Sequence, residues 1–164
     1  AGPSSQHLRS RRWAVVDVDD RCAYLYLTEP ERPRPVVDCW LFNVCPPVTN
    51  DETLRLAQAG EQPPAPTGYV APERCGPRDP SAIEILWSAD GLSVAARVFD
   101  EVLGFIAHAT PPGISRDLLR PGPIGRLWNQ HLYESISGEG EAGVNAFPDK
   151  RDRPPRPSGD NAET

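Results

Sequence analysis

Apolar and polar positions alternate with period two through much of this chain, and the alternation is clearest over residues 82–109. Ile83, Ile85 and Trp87 share one face of a strand, with Glu84 and Ser88 on the other and Leu86 between them. Ser88-Ala89-Asp90-Gly91 is a tight turn, because Asp accepts from nearby backbone N–H groups and Gly takes positive φ. Leu92, Val94, Ala96 and Val98 then alternate with Ser93, Ala95, Arg97 and Phe99, and Asp100-Glu101 turns into the nearly all-apolar V-L-G-F-I-A-H-A. The enrichment in Val, Phe and Ile favours an antiparallel meander over a helix.

The same reading predicts three strands earlier in the chain. Arg12 to Val18 places Trp13 and Val15 opposite Ala14, Val16 and Val18. After a turn at Asp19-Asp20-Arg21, Cys22 to Thr28 sets Tyr24 and Tyr26 against Ala23, Leu25 and Leu27. Val36 to Cys45 is apolar on both faces apart from Asp38 and Asn43, which predicts a central strand, and Pro46-Pro47 stops it. Residues 46–80 form a Pro-rich insertion in which Thr53 to Ala59 can make two helical turns, capped by Asn50 or Asp51. Residues 110–122 read as irregular. Pro123 to Ile136 carries Ile124, Leu127, Trp128, His131 and Leu132 at helical spacing, with Gly138 as the stop.

The expected fold class is α+β: mainly antiparallel β, about six strands in two meanders, with one C-terminal amphipathic helix. The expected organisation is a flexible arm over 1–11, one β-rich domain over 12–136, and a disordered tail over 137–164, too poor in apolar residues to offset chain entropy. Within that tail, Pro154-Pro155-Arg156-Pro157 has polyproline II character.

Composition narrows the function classes. The 164 residues carry a net charge of −6, which argues against unaided nucleic-acid binding. The 20 prolines mark long irregular segments. Lys150 is the one lysine among many arginines, which we read as coding bias in a GC-rich genome. No apolar run approaches a membrane span and no signal peptide is recognisable, so Ala1 would follow a removed initiator Met and the expected location is cytoplasmic. Cys22, Cys39, Cys45 and Cys75 lack C-x-x-C spacing, which favours buried free thiols over a disulfide or a metal site.

Candidate chemistry is sparse. Asp17, Asp19 and Asp20 cluster at a hairpin tip but lack the remaining ligands of a calcium loop, so a solvated acidic turn is the better reading. His108 and His131 would serve acid–base chemistry only if they met and a carboxylate such as Glu134 or Asp117 joined them. No nucleophile elbow, H-E-x-x-H, phosphate-binding loop or dinucleotide fingerprint is present, so no catalytic residue, metal site or cofactor is assigned. Core packing accounts for Trp13, Trp40, Trp87 and Trp128, whereas an exposed Trp beside a charged rim would signal a protein-binding hot spot.

W-A-V-V-D-V-D-D-R-C-A-Y-L-Y-L, V-V-D-C-W-L-F-N-V (36–44) and I-L-W-S-A-D-G-L-S-V-A-A-R-V-F-D-E-V-L-G-F-I (85–106) together resemble a bacterial family of small uncharacterised β-rich domains. That family has an acidic hairpin, a D-A-x-x-I-Y-N-V-like strand and a V-W-S-x-D-G block. The resemblance covers most of residues 12–109 and is best at Trp87-Ser88-Ala89-Asp90-Gly91. It departs at the 46–80 insertion and the tail. It implies a β-rich fold and brings no activity.

The functional expectation is a non-enzymatic bacterial protein-binding module, most specifically an immunity protein that inhibits a toxin. Asp19, Asp20, Asp51, Glu52, Glu61, Glu73, Asp100 and Glu101 would face a basic protein partner. The alternative is an accessory subunit of a larger assembly, with arm and tail ordered by neighbours. An enzyme using His108 and His131 ranks third.

Overall fold

The computed structural model describes residues 2–138. It is mostly β, with nine strands in two sheets and two α-helices among the described residues. The first sheet runs in the order β1 (Ser4–Gln6), β2 (Trp13–Val18), β3 (Cys22–Thr28), β4 (Pro35–Asn43), all antiparallel. The second runs β5 (Ile83–Trp87), β6 (Val94–Val98), β7 (Glu101–Ala107), β8 (Thr110–Ser115), β9 (Arg126–Leu127), antiparallel except for the parallel β8–β9 pair. Helix α1 spans Asn50–Gln58 and α2 spans Gln130–Gly138. A short 3-10 turn, Pro80–Ala82, leads into β5.

The alternation along the strands decides the layers. Ala14, Val16, Ala23, Leu25 and Leu27 point inward from the first sheet and meet Ile83, Trp87, Val94, Ala96, Val98 and Ile106 from the second. The outer face of the second sheet is covered by α2 and by Trp128 just before it: Phe105 packs edge-on against Trp128 (5.3 Å between centroids), and Tyr133 and Ile136 are buried. The outer face of the first sheet carries Cys22, Tyr24 and Trp40 beneath Ala65, Val70, Leu118 and Ile124. Glu84 and Arg97 are cross-strand partners and form an ion pair at 2.5 Å.

Four expectations are corrected. First, the 1–11 arm contributes a strand: β1 pairs with β2, His7 is buried, and the Trp87 indole N–H donates to Ser5 Oγ at 3.0 Å. Polar Ser-Ser-Gln gives no apolar signal, but an open edge at β2 supplies backbone partners. Second, β4 is an edge strand by hydrogen bonding. Its apolar faces are explained by packing, against β8 on one side and the 62–70 segment on the other. Third, 110–122 is not wholly irregular, since Thr110–Ser115 pairs with β7. Fourth, the C-terminal helix starts at Gln130, not Pro123. Asn129 sets that start by accepting the Leu132 N–H on its side chain (3.0 Å), while Arg126–Leu127 pairs with β8 instead. The tail expected from 137 lies, beyond 138, outside the described residues.

Candidate functional site

Among the described residues, two of the concave regions flanking the sandwich are lined by charged or aromatic side chains. The larger, about 690 Å³, opens between the 71–77 segment and the β6–β7 turn. Its lip is Phe99, which is 74% exposed and holds φ of +55°, a conformation that bulky side chains rarely adopt. Behind it lies a charged network. Arg74 bridges Glu101 (2.9 Å) and the well-buried Asp117 (2.9 Å). Arg116 reaches towards Glu101 at 3.7 Å, donates to the Val102 carbonyl at 2.7 Å and lies over the Trp128 ring at 3.7 Å. Burial pushes the Asp117 carboxyl up despite its arginine partner, and the Asp117 hydrogen bond raises Arg74 in turn. The exposed Arg74–Glu101 and Arg116–Glu101 pairs contribute little to stability.

The second region, about 510 Å³, is a cleft between the outer face of the first sheet and the insertion. Its floor includes Tyr24, Tyr26 and Asp38, and its walls include Leu54, Tyr69 and Ile124. The insertion is tied down over this floor. Tyr24 donates to the Pro63 carbonyl at 2.6 Å and Tyr26 donates to Gln62 Oε1 at 2.7 Å. The buried Asn43 holds Ala65, with the Ala65 N–H donating to Oδ1 at 2.9 Å. The sequence marks Asp38 and Asn43 as polar exceptions in an apolar strand, and both prove to serve this region.

The eight acidic residues named from sequence do not form one surface role. Asp19 caps its own turn, accepting from the backbone N–H groups of Arg21 (2.8 Å) and Cys22 (2.9 Å) and from the Gln62 side chain (3.1 Å). Glu52 pairs with Arg55 at 2.5 Å, and Glu61 pairs with Arg21. Glu101 belongs to the Arg74 network. Asp20, Asp51, Glu73 and Asp100 are exposed, and Glu73, Asp100 and Glu101 line the larger cavity together. Helix α1 overlaps the expected turns at 53–59 but begins earlier, at Asn50, because Thr49 is its cap, accepting the Glu52 N–H at 3.2 Å.

Other candidate residues sit apart. His108 is exposed in the β7–β8 turn and His131 is exposed in the first turn of α2, with no hydrogen bond between them. The buried histidine is His7, whose Nδ1 accepts from the Arg9 and Ser10 N–H groups (3.2 Å each) and whose ring meets Trp87 at 5.4 Å. Cys22 and Cys39 are buried free thiols and Cys45 is partly buried, while Cys75 is exposed at the larger cavity, correcting the expectation of burial for all four. Burial pushes the Cys39 thiol up to about 12. Among the described residues no cluster of His, Cys, Asp or Glu is arranged to hold a metal ion. No helix among them is long and apolar enough to cross a membrane. Phe99 escaped the sequence reading because its strand alternation was regular; only the turn fixes its outward, left-handed placement.

Compared with known proteins, the chain matches no protein-family model, no curated protein and no solved structure.

Proposed function

We propose that the chain is a non-enzymatic protein-binding module whose contact surface centres on Phe99. The observation that carries this reading is a large exposed aromatic ring at a positive φ, on the lip of a cavity with a charged rim. Scattered exposed apolar residues are ordinary. Left-handed backbone at a phenylalanine is not, and local strain of this kind persists where the surrounding structure over-determines it and function uses it. Aromatic anchors ringed by polar groups are the usual centre of a protein interface. Glu73, Arg74, Asp100 and Glu101 supply that rim here.

The partner is met first by shape and apolar contact, and only then by charge. Several of the acidic residues expected to face a basic protein are engaged within the chain itself, among them Asp19, Glu52, Glu61 and Glu101. The net charge of −6 still favours a basic partner by steering encounter. An immunity protein that inhibits a toxin is the most specific form of this reading.

The test is affinity capture from bacterial lysate with the tagged full chain, alongside Phe99→Ala and an Asp20→Asn, Asp51→Asn control. One stoichiometric partner, lost with Phe99→Ala and retained by the control, is the expected result. A partner equally retained by Phe99→Ala removes this surface from the reading. Capture of nothing specific removes the binding role itself.

A further inference from the structure

The second cleft presents an unusual combination. Asp38 stands on β4, cross-strand from Tyr26; it is exposed and lines the cleft. Among the described residues no hydrogen-bond donor or cation engages that carboxylate, although most other acidic groups of the first sheet and insertion have one. The cleft lining is mixed: Tyr24 and Tyr26 stack at 5.9 Å and 18°, Tyr69, Leu54 and Ile124 add aromatic and aliphatic surface, and Asn50, Thr53 and Gln62 add neutral polar groups. The phenol hydroxyls of Tyr24 and Tyr26 are committed to the insertion backbone and Gln62, so they hold the rings in place. Glu61, the other carboxylate in the lining, is already paired with Arg21.

An unpaired carboxylate beside aromatic rings selects for a cation carried on an apolar stem. The carboxylate attracts the charge and accepts its hydrogen bonds, the ring faces add cation–π attraction, and the aliphatic wall covers the stem. The chain already uses a ring of this cleft in that manner, since the Arg120 guanidinium lies 5.2 Å from the Tyr69 centroid. A volume of about 510 Å³ falls in the range of small-molecule sites. We infer that this cleft is a binding site for a small organic cation, a guanidinium or alkylammonium group on a short alkyl chain, with Asp38 as its counter-ion. The site is separate from the Phe99 surface and stands whether or not that surface binds a protein.

Titrating the full chain with agmatine at pH 8, by calorimetry and by heteronuclear NMR, tests it. Saturable binding is expected, with the largest shifts at Tyr26, Asp38 and Leu54. N-butylurea, a neutral molecule of similar shape, should bind at least tenfold more weakly. Asp38→Asn should weaken agmatine at least tenfold, while Glu84→Gln, on the other sheet, should leave it unchanged. Lack of saturable binding would overturn the site. So would equal affinity for agmatine and N-butylurea, a comparison made on the unaltered protein and independent of whether Asp38→Asn folds.

Discussion

Asn43 grips Ala65 at both ends of one peptide position: the Ala65 N–H donates to Asn43 Oδ1 at 2.9 Å and Asn43 Nδ2 donates to the Ala65 carbonyl at 2.8 Å. The Trp40 indole N–H donates to the same Oδ1 at 3.0 Å. All three residues are buried, so each bond replaces contact with water that is no longer available. One side chain therefore clips a Pro-rich insertion onto the sheet.

Removing that clip leaves buried polar groups unsatisfied, at about 1–3 kcal/mol each. Asn43→Leu is expected to lower unfolding free energy by about 3 kcal/mol or more, measured by urea denaturation. A loss below about 1 kcal/mol would mean the insertion is held by its apolar contacts alone.

The two sheets come into close contact where Gly113 on β8 faces Cys39 on β4. A Cβ at Gly113 would lie 2.4 Å from Cys39 Cβ and 2.7 Å from the Asp38 carbonyl. Backbone blocks the way, so Gly113→Ala should cost at least about 2 kcal/mol by overpacking. The Ser115 hydroxyl, which donates to the Trp40 carbonyl at 2.5 Å, would be drawn off with it. A thermal midpoint unchanged from the parent would show that this approach can relax.

Burial holds His7 below the ordinary histidine value. In the unfolded chain the imidazole takes up a proton near pH 6.5, whereas the folded form resists it. The unfolded state then binds more protons, so stability is complete above about pH 7 and declines as pH falls through about 6.5. Urea midpoints measured from pH 8 to pH 5.5 should show this decline, and an NMR titration should place His7 below 6.5. A flat profile, or a His7 titrating above 6.5, contradicts the neutral buried ring.

Thiol chemistry should follow burial. Cys75, exposed, is expected to react with Ellman's reagent first and Cys45 more slowly. Cys22 and Cys39 should react only on unfolding. Their raised folded values, about 12 for Cys39, mean that the unfolded thiols ionise near pH 9 while the folded ones do not. Stability is thus retained below about pH 9 and is lost as pH climbs towards 12. Four equally fast thiols in the native protein would contradict the packing.

Phe99→Gly separates strain from contact. Glycine accepts the positive φ without steric cost, so this change should raise stability by about 0.5–1 kcal/mol relative to Phe99→Ala, which keeps the strain. Denaturation of both variants checks it. A less stable glycine variant would mean that the left-handed turn is relaxed already.

The faces of the strands were legible in the sequence because alternation is a local property. Ala23, Leu25 and Leu27 had to point away from Tyr24 and Tyr26 whatever the fold, and Glu84 had to share a face with Arg97 once the Asp90-Gly91 hairpin formed. The sequence also marked Asp38 and Asn43 as polar positions needing a reason, and Asp19 as a turn residue. Tertiary structure alone decided the rest, since those features depend on partners distant along the chain. Ser4–Gln6 and Thr110–Ser115 carry weak strand signals and pair because β2 and β7 offer open backbone edges. The helical pattern read over 123–136 split between β9 and α2 because β8 competed for the backbone of Arg126–Leu127 and Asn129 capped the helix late. Both concave regions belong to this second class. Each joins a strand face to a loop that only packing brings there, so no window of sequence contains them.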